Sequence, residues 1–597
     1  MSIGKEKLII YQLFPRIFTN TNPNCVPWGT LQQNGSGKLN DFTPELLSHI
    51  KELGVNCIWF TGVIEHATKT DFSEYGIAKD NPNVVKGEAG SPYAIKDYYD
   101  IATALAESVP DRMKEFEALV RRVHAEKMKI LIDFVPNHTA RVYHSDSSPA
   151  GVEDFGTQDN INMNFAPDNN YYYISNQRFY PSFDISGGGE PYVEFPAKAT
   201  GNDCFTAFCS QYDWYETVKL NYGHDYNDGS DHFDPVPDTW HKMLHILKFW
   251  ASKGVDGFRC DMVFMVPLPF WHWAIPLVKK IYPHVIFIGE IYDVGLYRPF
   301  LDYGCFDYLY DKVNLYDTLV GIEKQGLSAA QITGCWQTVD GIGDKMVNFL
   351  ENHDEVRFGS KAYAGDSLRV VPSLVVSSMI SRGPFLIYYG QELGESARDN
   401  EGFAGDNDRT TIFDYWSLST IRRWYDGGKC DGDNLSPHER WLRNVYKTIL
   451  TLCNTREALR DGNFFDLMYV NLRQPGLDPH SHFAFLRYNG DDVLLIIVNF
   501  SREASHVSVM IPQLAFEMAG LEEGEIVTAD LLWGKPQKFN LSASSPLTVY
   551  MSAADALVLP IGKKKDVSGH KMKGSELRGE KKSSVDSKTK CNVMEPK

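Results

Sequence analysis

No Cys-x-x-Cys pair and no Cys/His set at zinc-ligand spacing occurs in the 597 residues, so zinc ribbons and fingers have no ligands here. The ten cysteines are scattered, only Cys204 and Cys209 lie close together, and Cys57 and Cys260 fall inside predicted buried strands. Free thiols in a reducing compartment are the expected state, with a Cys204–Cys209 bridge as the alternative. Long apolar runs are also missing. The longest, Val493–Val498, is far too short to cross a bilayer. Met1–Phe14 has no apolar run ending in a small-residue cleavage site, which predicts no signal peptide and a soluble, cytoplasmic protein. No glycine-rich phosphate cradle and no histidine-rich metal set appears, which argues against a metal-dependent barrel enzyme for phosphorylated substrates. Positive charge is scarce: the formal net charge is −18, and the tail Gly562–Lys597 is itself +6, which leaves the body at −24. So acidic a body repels nucleic acid and anionic membranes and remains compatible with a neutral polar substrate.

The composition is otherwise globular, 43% hydrophobic and 23% charged, and the length calls for two to four domains. Short apolar runs alternate with amphipathic ones. Leu8–Phe14 reads as a strand. Thr43-Pro44 then opens a helix with an N-cap and a proline at its first position, and Gly54 stops it before strand Val55–Phe60. The pattern recurs as helix Asp111–Glu126 with strand Lys129–Phe134, and as helix Asp238–Ser252 with Gly254 and a strand over Val255–Phe258. Later strands are expected at Val285–Gly289, Phe306–Tyr310, Met346–Leu350 and Pro384–Tyr389. Eight such strands between helices predict a closed parallel (β/α)8 barrel.

Two regions break the rhythm. The stretch from His138 to Pro237 is too long for a plain connection and is rich in Gly, Asn, Asp and aromatics. It reads as an inserted domain, residues 139–237, after the third strand, so the barrel occupies 1–138 and 238–458. From 459 to 561 the period changes to two, with strands at Phe483–Tyr488, Val493–Phe500, His506–Ile511 and Ala556–Leu559. Asn489-Gly490-Asp491-Asp492 is a turn signal between the first two. This predicts a C-terminal antiparallel β-sandwich domain. Residues 562–597, lysine-rich and poor in apolar residues, read as a disordered tail.

Polar clusters follow the barrel strands: Asp133-Phe134-Val135-Pro136-Asn137-His138, then Arg259 and Asp261, then Glu290, then Glu351-Asn352-His353-Asp354. Barrels gather their strand ends at one face, so these groups are expected to share a pocket. Arg259 and Asp261 are two apart, on one side of an extended chain, where the guanidinium would depress the carboxyl pKa and keep it ionised. A structural ion pair would look the same in isolation. Several like charges converging in one pocket carry a desolvation cost that points to function.

These four clusters resemble the four signature regions of the α-amylase family, glycoside hydrolase family 13. Tyr11-Gln12-Leu13-Phe14-Pro15-Arg16 resembles its first strand, and Gly383-Pro384-Phe385 through Tyr389-Gly390-Gln391-Glu392 its eighth. The likeness spans about residues 8–560. It implies a retaining hydrolase of α-1,4-glucans such as starch or maltooligosaccharides, with an α-glucan transferase as the alternative. By the same resemblance Asp261 is the nucleophile, Glu290 the general acid and Asp354 the third carboxylate. Arg259 keeps Asp261 charged, His138 and His353 bind the sugar at the cleavage point, and Tyr93 stacks beneath it. The resemblance also makes Asn137 a ligand of a bound Ca2+. Many relatives carry Lys-His three and four residues after the nucleophile, where this chain has Phe264 and Met265. Relatives acting on single glucosyl ends often carry Asp three residues before the stacking tyrosine. Here that residue is Gly90, which favours substrates that run through the site as chains.

Overall fold

The computed structural model describes residues 6–186, 189–403 and 405–562. The tail expected to be disordered lies outside the described residues, apart from its first residue, Gly562.

Eight strands close into a barrel in chain order: β1 (Ile9–Leu13), β2 (Cys57–Phe60), β3 (Lys129–Phe134), β4 (Gly257–Cys260), β5 (Ile286–Gly289), β6 (Tyr308–Tyr310), β7 (Met346–Phe349) and β8 (Phe385–Tyr388). Every neighbouring pair is parallel, and β1 closes on β8 with Ile9 opposite Phe385. Parallel neighbours need a crossover, and helices supply them. They are α1 (Pro44–Lys51), α2 (Arg112–Ala125), α3 (Asp238–Ser252), α4 (Leu268–Lys279), α5 (Tyr297–Asp302), α6 (Gln331–Thr338), α7 (Val371–Met379) and α8 (Pro437–Thr455). Thr43 caps α1 by accepting from the Leu46 amide. α2 buries Phe116, Leu119, Val120 and Val123, as its periodicity requires.

β4 begins two residues later than its sequence pattern suggests, at Gly257 rather than Val255. Its register is set on both sides, with Arg259 opposite Asp133 of β3 and Ile288 of β5. Arg259 is therefore inside the barrel wall, and Asp261 is the first residue beyond it. Gly254, at φ +94°, makes the turn from α3 towards this strand.

Residues 61–111, between β2 and α2, hold an antiparallel pair, Ile64–His66 with Ile95–Ile101, that has no counterpart in the sequence reading. Among its described residues the inserted stretch after β3 contains only short ladders, among them His138–Ala140 with Thr217–Lys219. A small apolar cluster includes its Ile174, Phe179, Cys209 and Tyr215 together with Val84 of the 61–111 segment. Cys204 and Cys209 are free thiols, so the alternative of a bridge between them is not realised.

Beyond α8 come β9 (Asn463–Asp466), β10 (His482–Asn489), β11 (Asp492–Asn499), β12 (Ser505–Val509), β13 (Gly524–Ala529), β14 (Pro536–Leu541), β15 (Leu547–Met551) and β16 (Asp555–Pro560). They form an antiparallel sheet ordered β9–β10–β11–β16 and two ladders, β12–β15 and β13–β14. The expected turn joins β10 to β11 through Gly490 and Asp491, with Asn489 paired to Asp492. All nine residues of α7 are buried, because the barrel covers one side and β11 and β16 the other. Among the described residues no helix is long and apolar enough to cross a membrane.

Candidate active site

Arg259 organises the strand ends. Its guanidinium is 1% exposed and lies among the rings of Trp59, Tyr93 and Tyr310. Nη1 donates to Asp261 Oδ1 at 2.6 Å, and Nη2 stands 2.6 Å from Glu290 Oε1. Asp133 and Asp354 flank the same group at 3.8 and 3.9 Å. Four carboxylates thus surround one cation, an arrangement that a structural ion pair alone does not require.

The two carboxylates nearest to it are held differently. Glu290 follows β5 and accepts from the Tyr292 hydroxyl at 2.6 Å and from the Met262 amide at 2.9 Å. Met262 is placed for this by a left-handed backbone, φ +44°. Asp261 has Arg259 as its strong donor. Burial and the neighbouring Glu290 charge push the Asp261 carboxyl well above the usual range, and Arg259 only partly offsets them. This reverses the expectation that Arg259 would leave Asp261 with a depressed pKa. The pair forms, but desolvation and a like charge outweigh the guanidinium.

Asp354 stands 3.9 Å from Arg259 Nη2, the nitrogen that also faces Glu290. Burial raises its carboxyl, yet His353 at 3.0 Å, together with Arg259 and Arg409, brings it down to about 2. His353 Nδ1 accepts from the Gln12 side-chain amide at 2.8 Å, which leaves Nε2–H to face Asp354 and the Tyr93 hydroxyl. Tyr93 stacks on the His353 ring at 5.2 Å and donates to Asp133 at 3.3 Å. His138 is buried against Trp214, and desolvation, aided by Lys219, lowers its pKa to about 3, so it is neutral over the ordinary range. Gly201 permits that burial, since a Cβ there would come within 2.9 Å of the imidazole.

A cavity of about 510 Å3 opens above these groups, lined by Tyr93, His138, Trp214, Asp261, Glu290, Tyr292, Asp354, Arg409 and Phe413 among others. Five of the sequence-nominated side chains face it, and Arg259 and His353 lie behind them. Gln12 and Asp133 lie within the sequence motifs above without being singled out there, whereas Tyr292, two residues after Glu290, lies outside them. Arg409 and Phe413 come from the long connection after β8, which has no periodic signal.

Asn137 is placed elsewhere. Its side-chain oxygen accepts from Lys219 Nζ at 2.5 Å, and the same ammonium reaches Asp203 at 2.7 Å and the Met265 carbonyl at 3.1 Å. The expected calcium ligand is therefore already bound to a buried cation supplied by the chain. Asn137 does not fit a metal ion, because its one side-chain oxygen is taken by the Lys219 ammonium, whereas a carboxylate would keep a second oxygen free.

Residues 12–271 match the model of the α-amylase catalytic domain. The chain carries an α-amylase catalytic domain. Across 88% of its length it is 25% identical to an α-amylase of Streptomyces lividans, of which it spans 56%. Across 85% it is 23% identical to an α-glucosidase of Apis mellifera, of which it spans 87%. Its fold matches that of an α-amylase from Geobacillus thermoleovorans solved with acarbose, at 17% identity and a TM-score of 0.61, covering 94% of this chain and 99% of that one. In this α-amylase domain the four strand-end clusters meet at one mouth, the C-terminal face of the barrel.

Proposed function

We propose that the chain is a retaining glycoside hydrolase of α-1,4-linked glucans, starch or maltooligosaccharides. The observation that carries this reading is the pair of buried carboxylates, Asp261 and Glu290, held on the two Nη atoms of Arg259. Retention needs one carboxylate as nucleophile and one carboxylic acid as proton donor, about 5–5.5 Å apart. Asp261 attacks the anomeric carbon while Glu290 gives its proton to the departing glycosidic oxygen, which leaves a glycosyl ester on Asp261. Glu290 then takes a proton from water, the water oxygen bonds to the anomeric carbon, and the ester bond breaks. In the free site Glu290 has more donors than Asp261. Asp354, ionised at all ordinary pH, binds ring hydroxyls and steadies the oxocarbenium-like sugar. Tyr93 offers its ring face to the sugar, neutral His138 supplies a hydrogen bond, and His353, behind the wall, holds Asp354 and the Tyr93 hydroxyl in place.

Calcium at Asn137 has no part in this scheme. The nine cysteines of the described residues are unpaired, which supports the reading of a reducing, cytoplasmic setting. The decisive test is Asp261→Asn: turnover should fall by about 10⁴-fold or more while maltooligosaccharide still binds. Substantial residual turnover would overturn the assignment.

The alternative, transfer to a second glucan, is favoured by the acceptor side. Phe264 packs edge-on to Tyr292 at 6.2 Å, and Met265 gives its carbonyl to Lys219, so neither side chain offers a charged or imidazole donor to a leaving sugar. Incubation with maltotriose separates the two. New reducing ends mark hydrolysis, and longer oligosaccharides without them mark transfer.

A further inference from the structure

We propose that Glu65, Asp97, Asp100 and Asp146 form a binding site for a hard divalent cation of calcium size. The site is separate from the catalytic mouth and from Asn137. One carboxylate oxygen from each residue lies within 4.8 Å of the others. Glu65 is on the first strand of the 64–101 ladder, Asp97 and Asp100 are on the second, and Asp146 comes from the inserted stretch. Three of the four are almost wholly buried, with exposures of 3, 1 and 2% for Glu65, Asp97 and Asp100, whereas Asp146 faces solvent.

The independent sign of a ligand is Glu65. Its Oε2 is buried and has no hydrogen-bond partner, and an orphaned carboxylate oxygen costs a few kcal/mol unless something completes it. Nearby cations do not. Lys96 stands 4.0 Å from the other Glu65 oxygen and is drawn instead to Asp80 at 3.2 Å and to the Ala78 carbonyl. Arg112 pairs with Asp100 and reaches Asp146 at 3.6 Å. Five acids, Asp80 included, are served by two cations. Burial accordingly drives the Glu65 carboxyl up to about 9.

The ligand set selects the ion. Four carboxylates with no nitrogen or sulfur suit a hard cation rather than zinc or copper. Ligands on opposite sides of calcium, each about 2.3–2.6 Å away, stand roughly 4.6–5.2 Å apart, whereas magnesium needs a tighter cage of about 4.2 Å. All four oxygens lie within 4.8 Å of one another, close enough to ligate one ion of calcium size, and the titration against magnesium tests the choice. A cation here ties the ladder to the inserted stretch, next to the Lys96 carbonyl that already accepts from the His144 amide at 3.1 Å. The strand it grips begins two residues after Tyr93, so the ion stiffens one wall of the catalytic cavity.

The test uses the full chain, stripped with chelator and titrated with CaCl2 and, separately, MgCl2. Calorimetry reads binding, and thermal melting reads stability. We expect one saturable calcium site outside Asn137, a Tm rise of several degrees, and at least tenfold weaker binding of magnesium. Glu65→Gln, nearly isosteric, and Asp146→Asn, at the surface where the fold is not at risk, should each weaken calcium binding tenfold or more. Asn137→Ala should leave it unchanged. Absence of calcium binding by the stripped chain overturns the proposal, as does undiminished binding by Asp146→Asn and Glu65→Gln.

Discussion

The Nζ of Lys219 lies 2.5 Å from Oδ1 of Asn137. This contact joins the loop after β3 to the inserted stretch, and through Asp203 and the Met265 carbonyl it reaches the loop after β4 as well. A single buried ammonium fastens three segments. Lys219→Ala would remove it and leave the Asn137 oxygen and the Met265 carbonyl without a donor. Removal of one member of a buried polar set costs about 3 kcal/mol, and a urea titration should read that loss.

Asp261→Asn should make the chain more stable while it abolishes turnover. A carboxyl whose pKa is raised in the fold binds a proton there at a pH where the unfolded chain does not. Its contribution is present at low pH and is lost as pH rises through the folded value. Above that value the ionised Asp261 opposes folding, and a neutral amide does not. A gain of about 1 kcal/mol at pH 8 is expected, measured by melting wild type and variant side by side.

Glu290→Gln should be sensitive to the leaving group. General acid assistance contributes about 10²–10⁴-fold. Hydrolysis of maltooligosaccharides should therefore fall by that order, while a glucosyl donor with an acidic phenol leaving group, which needs no protonation, should lose far less in its first step. Equal losses on both substrates would remove Glu290 from the acid role.

Glu401 gives the chain a pH signature unrelated to catalysis. It is buried, Oε1 has no partner, and desolvation raises its carboxyl to about 8 against the help of the Thr411 amide and Arg357. The fold holds this proton between the unfolded value near 4.3 and about 8, so stability falls as pH rises across that window. Melting at pH 6 and pH 9 should show a smaller difference for Glu401→Gln than for wild type. Glu351 and Asp311, both raised to about 7 by burial, contribute in the same sense and keep the slope from vanishing.

Tyr93→Phe keeps the ring and loses the hydroxyl that bonds to His353 and Asp133, whereas Tyr93→Ala loses the stacking surface. If the ring face holds the sugar, kcat/KM should fall only a few-fold for Phe and by about tenfold or more for Ala, a stacking contact being worth roughly 0.5–1.5 kcal/mol beyond the area it buries. Equal losses would show that the hydroxyl, not the face, is what matters.

The barrel could be read from the chain because its strands are mostly apolar and its helices carry continuous stripes, so period and burial agree. The 64–101 ladder could not. Lys96, Asp97 and Asp100 are polar residues buried in a strand, and pattern reading assigns such residues to loops. β13 and β14 escaped for the opposite reason, since they are half exposed and carry charge on the open face. In the site, Asp261, Glu290 and Asp354 were legible because each stands at the end of a recognisable strand. Lys219 was not, because an isolated lysine in a polar stretch gives no sign that its head group is 2% exposed and enclosed by oxygens. The direction of the Asp261 shift depends on how close Glu290 comes, which only the closed barrel fixes.

Helix α7 has no face of its own to show to water. The sheet that covers its outer side also sends Arg487, wholly buried, to accept its place among the carbonyls of Ile380, Ala458, Leu459 and Gly462. A chain cut before β9 would bare that helix and strand those four carbonyls. The barrel and its C-terminal sheet should therefore melt as one cooperative unit, which a single calorimetric transition of the full chain would show.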